Sequence, residues 1–298
     1  MTLNLATESA RIGDAIRAEL FKVVRRRMTY ILLLSLAALV LLFYVLLWYR
    51  IYEGPRRPRG HSLSEWLSLK ETMAFASVVP YGLGLERFFA TVICVIFAGT
   101  MMGNEYDWRT VAAVTARGVR RWHFLLAKLV ISLLFVVVAV TATFLVEMAA
   151  SAWFSHVYDL PYGEFGLHRF VTAAESLGRT MFVVVPFVFL ALVCATVWRS
   201  AGQAVGAALG VYFTESIFTG LLTTAQGWIS HVPEALMNIN GDSVMQANGV
   251  PPAGGPGGQF LFGAGDAPLW RATLVLATWI AGLTAFAFWR FRRRDIGE

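Results

Sequence analysis

Six apolar runs divide this chain, at 29–49, 80–103, 124–150, 179–198, 201–224 and 269–289. A helix rises about 1.5 Å per residue and the hydrocarbon core of a bilayer is about 30 Å thick, so roughly 20 residues cross it. A helix satisfies its own backbone hydrogen bonds where no water can. The expectation is therefore an all-α membrane protein with six transmembrane helices. The second run begins irregularly, with Pro80, Gly82 and Gly84 at its outer edge. Composition agrees. The chain is 57% hydrophobic and only 15% charged, with a mean hydropathy of +0.60. A soluble domain is usually about a quarter charged.

Basic residues orient the bundle. Arg11, Arg17, Lys22 and Arg25–Arg27 precede the first run. Arg109, Arg117, Arg120, Arg121 and Lys128 follow the second, Arg199 the fourth, and Arg290 with Arg292–Arg294 the sixth. These sixteen of the 25 Lys and Arg fall on one side, read as cytoplasmic, with both termini there. Six of the rest crowd the first outer loop: Arg50, Arg56, Arg57, Arg59, Lys70 and Arg87. The first run is too long and starts too late for a signal peptide, and no small-residue cleavage site follows it. The net charge of +6 is mainly cytoplasmic and suits anionic lipid head groups; nothing calls for nucleic acid. The reading is a multi-pass protein of a bacterial cytoplasmic (inner) membrane.

Residues 1–28 precede the first span. Within them Ile12, Ile16, Leu20, Val23 and Val24 recur at helical spacing, with Asp14, Arg17, Lys22 and Arg25 opposite. A basic amphipathic helix before a span is expected to lie in the membrane interface. Outside, residues 225–268 form a long loop. Its first part, Pro233–Asn248, is expected to be a short surface helix, and Gly249–Pro268 is too rich in Gly and Pro to order itself.

Chemistry-bearing residues are few. Cys94 and Cys194 lie inside apolar runs and form no disulfide framework. The five histidines (His61, His123, His156, His168 and His231) have no metal-ligand spacing, so no metal is expected. No Gly-Lys dipeptide occurs, hence no P-loop and no ATP site in this chain. No catalytic constellation is visible, and the chain is read as not an enzyme. Acids within the spans are Glu147 and Glu215. Glu147 is expected near the outer end of the third span, within reach of water. Glu215 is expected deep in the fifth, with no Lys or Arg deep in any span to pair with it. It is expected to be protonated or to face a wet cavity, as a pathway residue or as a hydrogen-bonding group between helices. Gly202, Gly206 and Gly210 recur every fourth residue, and Gly99 with Gly103 repeats the spacing. Such spacing lets helix backbones approach closely, within one subunit or between two. Pro186 is expected to kink the fourth span.

Residues 104–123 connect the second and third spans. An acid, Glu105, leaves the membrane; Arg109 and Thr110 follow, then Arg117-Gly118, Arg121, and Lys128 one turn into the next span. This order resembles the first cytoplasmic segment of the permease subunits of type-2 ABC exporters (ABC-2). The family usually has Gly where this chain has Arg109. Glu19, Lys22 and Arg25–Arg27 look like the family's elbow helix, and the ending Phe291–Ile296 is similar to its usual tail. The resemblance implies a permease subunit that moves a hydrophobic or amphipathic substrate. Glu105, Arg109, Thr110, Arg117 and Arg121 would meet an ATPase, with Glu19 and Lys22 on the elbow. The implied partners are two copies of a cytosolic ABC ATPase, carrying ATP and Mg, and a second permease subunit, identical in the simplest case, within membrane lipid. A non-transporting membrane anchor or immunity protein remains the alternative, followed by an intramembrane enzyme.

Overall fold

The computed structural model describes residues 2–53, 70–108, 120–163, 166–222, 227–249 and 267–293. Among them the regular elements are helical, and no strand occurs. Helix α1 spans Thr2–Arg25 and α2 Arg27–Glu53. A 3-10 turn at Phe75–Ser77 and a π-helical turn at Val78–Gly82 lead into α3, Leu83–Asp107. Helices α4 (Arg121–Val157), α5 (Leu167–Trp198) and α6 (Ala201–Leu222) follow. A 3-10 segment, Gly227–Ala235, precedes the short α7, Met237–Gln246, and α8 covers Leu269–Arg293.

Among the described residues, five helical stretches are long and apolar enough to cross a membrane: Arg27–Tyr52, Phe75–Asp107, Trp122–Val157, Leu167–Trp198 and Leu269–Arg293. By the length and hydropathy of its helices, the chain is a multi-pass membrane protein. Helix α6 accounts for the difference from the expected six: it forms, at 22 residues, but is not among these five.

The most buried of the five are those containing α3 and α5; those at α2 and α8 are the least. Helix α3 packs on α2, α4, α5 and α6, which makes it the axis of the bundle. The rings of Phe97 and Phe135 stack at 3.7 Å between α3 and α4. On the rim, Leu34, Leu42, Val45 and Leu46 of α2, and Trp270, Leu274 and Phe286 of α8, face outward. Apolar side chains so placed suit contact with lipid. Helix α5 runs unbroken through the buried Pro186.

Helices α3 and α6 cross almost backbone to backbone. A Cβ on Gly99 would lie 2.7 Å from Val205, and one on Gly103 would fall onto the backbone of Ala201. The crossing is pinned at its inner end, where Asp107 Oδ2 accepts a hydrogen bond from the Ala201 N–H at 3.3 Å. Only Arg199 and Ser200 separate α5 from α6, and Arg199 closes α5 in the left-handed conformation, φ 55°. By contrast, a Cβ on Gly202, Gly206 or Gly210 would meet nothing within 4 Å. That glycine row faces away from the chain's own helices. The row that packs within the subunit is Gly99 and Gly103.

Two expectations change. Helix α1 is rotated relative to its apolar periodicity: Leu20 and Val24 are exposed, whereas Glu19 and Val23 are buried. An ion pair made by Glu19 sets that rotation. Helix α4 continues past residue 150 to Val157, because Phe154, Ser151 and Ser155 are still buried there. Ser155 Oγ accepts from the Phe75 N–H at 2.8 Å, and Ser151 Oγ bonds the Tyr44 hydroxyl at 3.0 Å. Glu147 is therefore not at a wet helix end; it is fully buried.

Candidate functional site

Charged residues of α1, α3 and α4 converge at the inner edge of the bundle. Lys128 is completely buried, and its Nζ donates to Glu19 Oε2 at 2.6 Å, Glu105 Oε1 at 2.9 Å and the Met101 carbonyl at 3.3 Å. Lys22 Nζ donates to Glu19 Oε1 at 2.7 Å and Glu105 Oε1 at 3.2 Å. Arg26 approaches Glu105 at 3.9 Å. Two carboxylates thus meet two ammonium groups, with a guanidinium at the edge, and the charges of the inner four cancel. A buried cluster of this kind specifies geometry more than it adds stability, because desolvation offsets most of the Coulomb attraction.

The break between α1 and α2 falls at Arg26, and Thr29 fixes it. Its buried hydroxyl donates to the Val23 carbonyl at 2.8 Å. The elbow is therefore held from both sides, by Thr29 at the turn and by Glu19 and Lys22 along the helix. Burial draws the Lys22 ammonium down, but hydrogen bonds and charge contacts with Glu19 and Glu105 outweigh this and hold it above its ordinary value of 10.5. A group raised on folding contributes fully below the unfolded value and loses that contribution as pH rises through the folded one. Titration above the ordinary lysine range should thus loosen α1. A spin label on the exposed Val24 should gain mobility there and not at neutral pH.

Sequence reasoning singled out Glu105, Glu19 and Lys22. The structure brings these three together with Lys128, but it buries Glu19 and Glu105. Glu105 pairs inside the bundle rather than standing as an exposed acid beside Arg109. Arg109, Thr110, Arg117 and Gly118 lie outside the described residues, as does the side chain of Arg121.

A second polar cluster surrounds α7. This helix was expected on the surface, yet Met237, Asn238 and Asn240–Met245 are buried. Its polar residues explain the correction, because Asn238 and Asp242 find partners on the neighbouring helices and Asn240 in the segment before it. Arg87 of α3, 3% exposed, pairs with Asp242 and donates to the Asn238 side-chain and main-chain oxygens at 2.6 and 2.9 Å. Asn240 Nδ2 donates to the carbonyls of Glu234 and Leu236 at 2.9 and 2.7 Å. A Cβ on Gly241 would lie 2.8 Å from Arg87 Nη2, so helix and guanidinium are in direct contact.

Glu215 closes the N-terminal end of α7. Its Oε2 accepts from the Asn238 N–H at 2.8 Å, and Ser216 Oγ accepts from Asn238 Nδ2 at 2.6 Å. The orphan N–H groups and the positive dipole end favour an acid there. A cation also lies deep in the chain, contrary to expectation: Arg87 is near enough to act on Glu215 electrostatically. The signal was present in the sequence as Glu86-Arg87 inside an apolar run, where ionisable residues mark a built site. A glutamine at 215 keeps an acceptor for the Asn238 N–H, and a leucine does not. Glu215→Gln should melt close to wild type, whereas Glu215→Leu should lose about 1–3 kcal/mol. A Leu variant as stable as wild type would show the cap to be dispensable.

A groove of about 720 Å³ follows α8 beside the 3-10 segment. Leu274, Val275, Trp279 and Leu283 line its apolar part, and Arg271, Glu234 and His231 its polar end. The Arg271 guanidinium and His231 hold the exposed Glu234 carboxyl below the usual carboxylate range.

Comparison with known proteins rests on one family. A family described as "Protein of unknown function (DUF2705)" matches residues 82–297, well over half of the chain. The chain belongs to DUF2705. No curated protein matches it. The DUF2705 match begins at the π-helical turn and takes in Arg87, Glu105, Lys128, Glu147, Glu215 and Asp242. Helices α1 and α2 precede it, so Glu19 and Lys22 reach the inner cluster from outside the matched region.

Proposed function

We propose that this DUF2705 protein is the membrane-spanning permease subunit of an ATP-driven exporter, of the type-2 ABC kind that its first cytoplasmic segment resembles. The observation that carries this reading is the inner ion cluster. Glu19 and Lys22 clamp the interfacial helix onto Glu105 and Lys128, which bracket the 104–123 segment. A push on either part reaches the other, and through α3 reaches the axis of the bundle. Two cytosolic ATPase subunits, which bind ATP and Mg, would supply that push. Arg109, Thr110, Arg117 and Arg121 would meet them directly; Glu105, Glu19 and Lys22 would hold the receiving geometry. The permease itself performs no covalent chemistry and needs no cofactor.

In this reading α6 is the sixth span, despite its polar residues, and both termini are cytoplasmic in a bacterial inner membrane. Its outward glycine row meets a second, identical permease subunit. The groove along α8 supports an amphipathic substrate, since it offers an apolar wall with a charged end. Glu215 and Glu147 are the pathway candidates, and switching between two packed arrangements would move the substrate outward.

Gentle purification of the chain from its own membranes tests the reading. A P-loop ATPase should accompany it, and the isolated chain should hydrolyse no ATP. Purification without any ATPase would leave the anchor reading, and hydrolysis by the isolated chain would sink both. The subunit contact has its own test. Gly206→Leu should leave the melting temperature unchanged, because a Cβ there meets nothing within 4 Å among the described residues. Dimer content in mild detergent should fall. Unchanged dimer content would place the glycine row against lipid.

A further inference from the structure

Two glutamates lie inside the bundle with nothing to hold them. Glu86, in the first turn of α3, and Glu147, on α4, are both fully enclosed. None of their four carboxyl oxygens has a hydrogen-bond partner among the described residues. The two are close enough for Glu147 to act on Glu86 through its charge. Tyr44 on α2 lies within electrostatic reach of both, and Cys94 on α3 within reach of Glu86. The Tyr44 hydroxyl is already engaged with Ser151 Oγ at 3.0 Å. On the remaining side the Glu147 carboxyl rests on the π-helical turn, where a Cβ on Gly82 would lie 2.6 Å from Oε2. Charge compensation is spent elsewhere. Arg87 turns to Asp242 and Asn238, and Lys128 is bonded at the inner edge.

An unpaired carboxylate removed from water is among the most costly groups a protein can enclose, and two together repel as well. Something neutral or cationic must complete the pair. Oxygen-seeking cations such as Ca²⁺ gather about six to eight oxygens. The described residues bring two carboxyls, with no group of three or more His, Cys, Asp or Glu able to hold a metal. A proton needs one oxygen and no cavity. The π-helical turn supplies the way in: such turns interrupt the helix ladder and recur at functional sites.

We propose that Glu86 and Glu147 form a proton-binding site, loaded with at least one proton in the arrangement seen here and emptied when water reaches the pair past Val78–Gly82. The proton comes from water and returns to it, and no other bond changes. The site does not depend on the permease reading. Any rearrangement that wets the pair releases protons, whatever else the protein moves.

Infrared spectroscopy of the full chain in lipid nanodiscs reads protonated carboxyls through their carbonyl stretch. Wild type should show that band at neutral pH. Glu86→Gln and Glu147→Gln should each shift or reduce it, and the double variant should lose the whole share of the pair. Glu215→Gln identifies what that third carboxyl adds. Glutamine has the shape of protonated glutamate, so the single variants should melt with wild type. A double variant whose band equals that of wild type overturns the proposal. So does a wild-type melting temperature that climbs with added Na⁺ or Ca²⁺ and stops climbing in the Gln variants, which would mark a cation site. If the double variant does not fold, the wild-type spectrum decides. A band that persists into alkaline pH supports the site, and its absence at neutral pH overturns it.

Discussion

Lys128→Met should destabilise this protein by about 3–5 kcal/mol, the usual cost of removing one partner from a buried ion pair. The methionine fills much of the space, so the loss is one of charge. Glu19 and Glu105 would be left facing each other, with Lys22 alone between them and Arg26 at 3.9 Å from Glu105. Thermal unfolding in detergent reads the effect. Proteolysis localises it, because α1 should be cut before the bundle core. Adding Glu19→Gln to Lys128→Met should recover part of the loss, since the unpaired charge goes with it; groups in one network do not add. If Lys128→Met melts with wild type and α1 stays protected, the cluster does not hold the elbow.

Arg87→Leu should have an effect of the same size, about 3–5 kcal/mol, at the outer cluster. It takes the guanidinium partner from Asp242, which is 5% exposed, and its donors from the Asn238 oxygens. Helix α7 is the element that should come loose, so hydrogen exchange should rise there first. The double variant Arg87→Leu/Asp242→Leu should be more stable than the single, as an apolar pair replaces a buried carboxylate that has lost its guanidinium. A single variant that keeps both its melting temperature and the protection of α7 would disconnect this ion pair from the position of the helix.

The two clusters mark where reading the sequence stops being enough. Apolar length finds the helices because every stretch of lipid-spanning backbone obeys the same geometry. It finds α6 as well, at 22 residues. Periodicity finds α1 but not its rotation, which depends on an ion pair between residues 19 and 128. Likewise α7 reads as a surface helix from Asn238, Asn240, Asp242 and Ser243. Its burial depends on Arg87, 155 positions earlier. Polar residues are ambiguous in one dimension, because the same side chain belongs at the surface or inside according to whether a distant partner meets it. Glu147 fails for a third reason. Its depth follows from where α4 ends, and packing of Phe154 and Ser155 sets that end beyond the apolar run.

The crossing of α3 and α6 has a mechanical consequence. Where side chains separate two helices, a twist in one is absorbed by rotamer changes before it reaches the other. At Gly103 and Ala201 no side chain intervenes, and Asp107 ties the end. The two helices therefore behave as one welded beam, stiff against sliding and without backlash. Arg199 and Ser200 tie the same beam closely to α5. A displacement entering at Asp107 arrives undiminished along the Gly202–Gly210 edge, on the far side of the beam. Among the described residues, compliance is then expected away from this beam, at the π-helical turn before α3, where the helix ladder is interrupted.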